Sequence, residues 1–356
     1  EGLQAILDAQ NASGRNSGPS ADNSHTMDMT ASYDPEPLIA RIKSLSLISG
    51  SGITVTADAR ISAYEEGKPF TIIPSVQGNN VDEAKTISVI EAAVKAGQAS
   101  VDVDQAGCYY QVNVREDSEE LKALCDTMNR YRNATINYVF GDVKEPLTGE
   151  TICSWMTGSQ GTAVILDQEK VTAFVAGLAG KYDTAGTARA CHTAGGRGVG
   201  ITGPYGWKLD VAGEVAALTQ LIQAGLGEGE QDREPVYAAT AASRSLPDWG
   251  NTYVEIDLTG QHVYMFQEGN LVWEAPCVTG NIAKNYNTPA GIYSLTYKEM
   301  DRILRGAKKA DGTYEYEIHV DYWMPFNGGI GLHDANWRSK FGGTIYQTSG
   351  TLWTGL

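Results

Sequence analysis

Two hydrophobic rhythms divide the chain. In Gly78–Gly97 ("GNNVDEAKTISVIEAAVKAG") and again in Gly206–Gly225 ("GWKLDVAGEVAALTQLIQAG"), apolar residues recur every three or four positions, the period of one helix face. Asp82 and Asp210 stand where an N-cap belongs, and Gly97 and Gly225 fall just past the last periodic residue as C-caps. The stretches overlay at a shift of 128 positions with five identities: Gly78/Gly206, Asp82/Asp210, Ala84/Ala212, Ala96/Ala224 and Gly97/Gly225. Strand-like runs flank each copy, "FTIIPSV" and "ASVDVD" around the first, "GVGITG" and "EPVYAA" around the second. A further amphipathic helix precedes each, "PEPLIARIKSL" and "DQEKVTAFVAGLAGKYD". Each unit reads as a small α+β module.

From Thr252 the rhythm changes to two. Val254, Ile256 and Leu258 alternate with Tyr253, Glu255 and Asp257, and the chain then turns at "TGQ" into Val263–Phe266 and at "EGN" into a third strand. Within this region only "TYKEMDRILRGA" carries a helical reading. The polar, Gly-rich stretch Gly225–Asn251 holds the boundary between the two regimes, and the Ser-, Asn- and Gly-rich first thirty residues read as a leader. The expected fold class is therefore multi-domain α+β. It comprises a leader (1–30), two α+β modules (31–115 and 116–240) and a mainly antiparallel β domain (250–356).

A length of 356 residues agrees with several domains. The net charge of −16, spread along the chain, disfavours nucleic acid as a partner. No apolar run reaches the roughly 18–20 residues of a bilayer span. A secretion signal or membrane anchor is expected only upstream of Glu1.

Five cysteines, Cys108, Cys125, Cys153, Cys191 and Cys277, show neither CxxC spacing nor a Cys/His cluster, so no metal site is expected. Cys108 and Cys125 are close enough in sequence to pair in an oxidising compartment, and buried free thiols suit them equally.

The chemistry concentrates in "NTPAGIYSL" (Asn287–Leu295) and "YWMPFNGGIGLHDANW" (Tyr322–Trp337). The pattern Thr288, Pro289, Gly291, Tyr293 resembles the TPxGxY element of the L,D-transpeptidase (YkuD-type) catalytic domain. The run His333, Asp334, Ala335, Trp337, Arg338, Phe341, Gly342, Gly343 is similar to that family's HDA-WR-FGG element. The modules resemble the peptidoglycan-binding domains that precede it. The resemblance implies a cell-envelope enzyme that cross-links peptidoglycan stem peptides with no cofactor. In such an enzyme a cysteine thiolate attacks the carbonyl of the third stem residue and expels D-Ala. The thioester then passes its acyl group to an amine of a neighbouring stem. It also implies an extracytoplasmic site of action, with His333 as the base-like residue, Asp334 as its orienter, and Tyr322, Trp323, Gly331, Trp337 and Arg338 at the substrate.

The family's strand ends in Ser/Thr-His-Gly-Cys. Seventeen residues separate His333 from Thr351, which suits the Ser/Thr position, but Leu352, Trp353 and Thr354 follow, so Thr354 stands at the cysteine position. A threonine hydroxyl without the neighbouring His and Gly is a poor nucleophile near neutrality. Cys277, alone in this domain, lies in the strand "WEAPCVTG" and reads as a packed thiol. A shifted reading frame or a premature stop is the expected origin of "TLWTGL", leaving an incomplete site and an inactive chain. A non-catalytic peptidoglycan-binding protein of the cell envelope is the alternative. A hydrolase recruiting Thr351, Thr354 or Cys277 is a third reading.

Overall fold

In a computed structural model, residues 33–161 and 163–348 are described. The chain divides into two compact units, Glu1–Asn129 and Arg130–Leu356. The leader and Thr351–Thr354 lie outside the described residues.

The first unit contains α1 (Pro35–Lys43), α2 (Ser46–Ser49), β1 (Arg60–Ile61), β2 (Ile72–Ile73), α3 (Glu83–Lys95) and the start of α4 (Glu119–Arg132). Asp34 caps α1 through the Glu36 N–H, and Asp82 caps α3 through the Lys85 N–H at 2.9 Å. Gly97 follows α3 at φ +67°, the left-handed position that ends a helix cheaply only for glycine. The strands expected around α3 are largely missing. Among the described residues the two-residue pair β1–β2 is the one ladder there, with single bridges at Ala57↔Val76 and Val81↔Tyr109, and "ASVDVD" is irregular. Side-chain amides and carboxylates supply the backbone partners that a ladder would have given. Asn79 and Asn80 accept from the N–H groups of Thr54 and Thr56, and Asp58 accepts from Asn113 and Val114. The two accepted N–H groups hold the Asp58 carboxyl below its ordinary value. Cys108 and Cys125 are buried free thiols, which decides between the two alternatives left open by their spacing.

The second unit begins with the end of α4. It continues through β3 (Ala134–Phe140), β4 (Val143–Thr148), α5 (Gly149–Ser154), β5 (Met156–Gln160), β6 (Ala163–Leu166) and α6 (Gln168–Tyr182). Then come β7 (Arg189–His192), β8 (Gly198–Ile201), β9 (Lys208–Leu209), α7 (Val211–Ala224), β10 (Gly229–Arg233) and β11 (Tyr237–Ala239). The strand β3 runs between β4, antiparallel, and β10, parallel. Its central position explains its near-continuous burial, with Ile136 and Tyr138 fully enclosed. The helices α6 and α7 contribute Val171, Val175, Leu218 and Ile222 to this core. Glu214 on α7 is also enclosed, and both its oxygens are saturated. Oε1 accepts from Tyr138 Oη (2.7 Å) and Arg233 Nε (2.9 Å), and Oε2 from Arg233 Nη2 (3.0 Å) and the Val236 N–H (2.8 Å). The buried ring and the charge beside it push the Tyr138 phenol well up.

Two three-stranded antiparallel sheets complete the unit: β12 (Tyr253–Asp257), β13 (His262–Gln267) and β14 (Asn270–Pro276), then β15 (Glu299–Arg305), β16 (Glu317–Asn327) and β17 (Ile330–His333). The turn from β13 to β14 places Glu268 at φ +50° and Gly269 at φ +83°, the paired left-handed conformation that matches strand twist. "TYKEMDRILRGA" contains β15, where a helix was the local reading; the ladder to β16 from Glu299↔Trp323 to Arg305↔Glu317 overrides the weak helical preference.

Candidate active site

His333 ends β17, directly opposite Trp323 of β16. The hairpin between them closes tightly because Gly331 lacks a side chain: a Cβ there would sit 2.8 Å from the Met324 carbonyl oxygen and from Pro325 Cα. Gly331 therefore serves backbone approach, which places His333 beside the tryptophan.

The imidazole is enclosed by two indoles, Trp323 at 5.9 Å between ring centroids and tilted 43°, and Trp337 at 5.9 Å and inclined 27°. Trp323 is buried, and its Nε1–H donates to Tyr297 Oη at 3.3 Å. Trp337 is 40% exposed and Tyr322 is 52% exposed, so each presents an aromatic face to solvent. Arg338 follows within a turn whose N–H donates to the Ala335 carbonyl, and burial pulls its guanidinium below the ordinary value.

His333 Nδ1 lies 2.7 Å from the Asp334 backbone oxygen. A carbonyl oxygen only accepts, so the neutral ring carries its proton on Nδ1 and leaves the Nε2 lone pair free. Burial lowers the imidazole pKa, and the Asp334 carbonyl and carboxylate offset that only in part. The ring is thus neutral near pH 7, and its free nitrogen can take a proton.

Asp334 meets the imidazole with its main chain. Its carboxylate Oδ1 instead accepts the Tyr322 N–H at 2.9 Å, tying residue 334 to β16. The sequence signals Asp334 but cannot assign which of its oxygens faces the ring.

Several contributors carry no motif. Tyr297 is one. Asn281 is another: its Oδ1 accepts from the Lys284 N–H, and its Nδ2 donates to the Thr348 oxygen at 2.9 Å, joining the "GNIAKNYNTPAG" loop to the segment beyond His333. His319 pairs with Asp301 at 2.5 Å on the exposed sheet, where that carboxylate raises its pKa.

Cys277 is 5% exposed, and burial, with the Asp257 charge second, pushes its thiol up to about 12. Such a thiol is not a ready nucleophile near neutrality. Among the described residues, no three His, Cys, Asp or Glu side chains are grouped to hold a metal, and no helix is long and apolar enough to cross a membrane.

A neutral imidazole fixed through Nδ1 at a strand end, with Nε2 open, has the chemistry to accept a proton. The family model of the L,D-transpeptidase catalytic domain, YkuD, matches residues 251–354. The structure of the Ldtfm-avibactam carbamoyl enzyme is 31% identical, with 65% of this chain and 88% of that chain covered and a TM-score of 0.53. A crystal structure of a cysteine-to-serine mutant of the Enterococcus faecium L,D-transpeptidase is 30% identical, covering 64% of this chain and 88% of that one at a TM-score of 0.51. No curated protein sequence matches. The chain belongs to the L,D-transpeptidase family.

Proposed function

We propose that this protein acts on peptidoglycan stem peptides in the cell envelope, outside the cytoplasm, by the acyl-transfer chemistry of its family. A cysteine at position 354 would attack the carbonyl of the third stem residue and release the fourth. His333 Nε2 would take the thiol proton and return it to the departing amine. The resulting thioester would pass its acyl group to a side-chain amine of a second stem. The exposed rings of Tyr322 and Trp337 offer the stem peptide its apolar contact, and Arg338 lies on the same loop. Trp323 and Gly331 support the base from within the fold.

The observation that carries this reading is the neutral, carbonyl-held His333 in a domain matched by the catalytic family. With Leu352, Trp353 and Thr354 in place of His-Gly-Cys, the sequence in hand lacks the thiol, and buried Cys277 does not replace it. In this form the chain binds stem peptides without cleaving them. Incubation with a carbapenem followed by intact-mass measurement tests both statements. The expected result is no adduct on the chain as it stands and a covalent adduct on L352H/W353G/T354C. An adduct on the unaltered chain would sink its assignment as a binder. Failure of the triple variant to acylate, while it still folds, would sink the transpeptidase reading.

A further inference from the structure

The second α+β module grips the catalytic domain at two places. At the tip of the β7–β8 hairpin, the Ala194 N–H donates to both carboxylate oxygens of Glu255 (2.9 and 3.1 Å), and Arg197 Nη2 donates to Asp257 Oδ1 at 2.7 Å. Just beyond β8 the chain lies along Ile292, inside the TPAGIY element. The Ile292 N–H donates to the Thr202 oxygen at 3.1 Å, and the Tyr205 N–H donates to the Ile292 oxygen at 3.3 Å. Gly203 sits between these two bonds. A Cβ there would lie 2.3 Å from the Ile292 oxygen and 2.4 Å from its nitrogen, so only glycine admits the approach. Two domains joined merely by a tether need no such fit.

From Ile292 the chain leads to the base. The Tyr293 ring packs 5.6 Å from Phe326, and the Thr296 N–H donates to the Pro325 oxygen at 2.8 Å. Tyr297 Oη then receives the indole N–H of Trp323, the ring that covers His333. The segment Ile292–Tyr297 is a strap fixed to the module at one end and to the wall of the catalytic base at the other.

We propose that the second module is a positioning element of the active site. Its docking on Ile292 through Gly203 sets the strap, and the strap, through Tyr297 and Trp323, sets the enclosure of His333. This rests on His333 being the base. Gly203 and Tyr297 are positioning residues in this scheme, since neither touches the reacting atoms. Releasing the strap lets the Trp323 indole swing and admits water to the imidazole. Loss of desolvation then moves the ring toward its ordinary titration.

Nitrogen NMR of the imidazoles in the whole chain, followed from pH 5 to 9, reads this directly. Gly203→Val is expected to expose the Ile292 amide to hydrogen exchange and to raise the His333 midpoint by about half a pKa unit or more. Tyr297→Phe shifts the midpoint the same way by less. His319, held by Asp301, stays put and serves as the internal control. If Gly203→Val does not fold, R197A/E255A, which strips the hairpin tip of its side-chain contacts, is read the same way. An exchanging Ile292 amide with an unchanged His333 midpoint and tautomer overturns the proposal, as does an Ile292 amide still protected in a folded Gly203→Val chain. The readout is the ring itself, so this outcome is separate from carbapenem acylation, whose failure would count against the transpeptidase reading alone.

Discussion

His333 is held by the backbone carbonyl of Asp334 at 2.7 Å, while the Asp334 carboxylate bonds to the Tyr322 N–H of the neighbouring strand at 2.9 Å. One residue thus fixes the tautomer of the imidazole with its main chain and fixes itself with its side chain. A charged group so close to the ring would otherwise raise its pKa. Here burial outweighs it.

The two histidines of the last sheet should titrate in opposite senses. His333 is expected below the ordinary histidine value near 6.5 and His319 above it, in one NMR titration. The linked stability follows the sign of each shift. For His333, the unfolded chain binds the proton more readily, so its contribution is intact above about pH 6.5 and is lost as pH falls through the lowered folded value. For His319, any contribution is present below about pH 6.5 and is lost as pH rises through the raised value. Titration of both at the same midpoint would refute the geometry.

The two indoles beside the base should separate on substitution. Trp323→Ala removes a buried ring and is expected to cost about 3–5 kcal/mol in urea unfolding and to raise the His333 midpoint. Trp337→Ala, at an exposed position, should leave stability within about 0.5 kcal/mol. Its effect should appear as weaker binding of stem peptides in calorimetry. Equal destabilisation by both changes would contradict the burial seen here.

The saturated carboxylate of the second module offers a third check. Glu214→Ala strands the Arg233 guanidinium and the Tyr138 hydroxyl, and a loss of about 3 kcal/mol is expected by denaturant unfolding. Tyr138→Phe removes one bond and leaves the ion pair, so about 1 kcal/mol is expected. A Glu214→Ala chain as stable as Tyr138→Phe would mean that the ion pair contributes nothing.

Where the sequence states a local preference strongly, the structure keeps it. Asp82 and Asp210 cap their helices, and the meander from Tyr253 to Pro276 turns where the Gly-containing turns stand. Caps and tight turns are decided within a few residues, so the sequence suffices. The resemblance of the two modules did not extend to their strands. A strand is stable only with a partner, and the first unit satisfies those backbone groups with Asn and Asp side chains instead.

The site divides the same way. The motifs around Thr288 and His333 are readable in the sequence because their residue types and spacing are fixed locally, and they carry the family with them. The reading of Thr354 at the family's cysteine position rests on the sequence resemblance alone. Tertiary structure decided the rest. It turned a helical reading into β15, buried Cys277, set Tyr297 on Trp323, and brought Gly203 against Ile292 across about ninety residues of chain. Contacts of that separation depend on how sheets stack and which surfaces exclude water, and no local pattern encodes either.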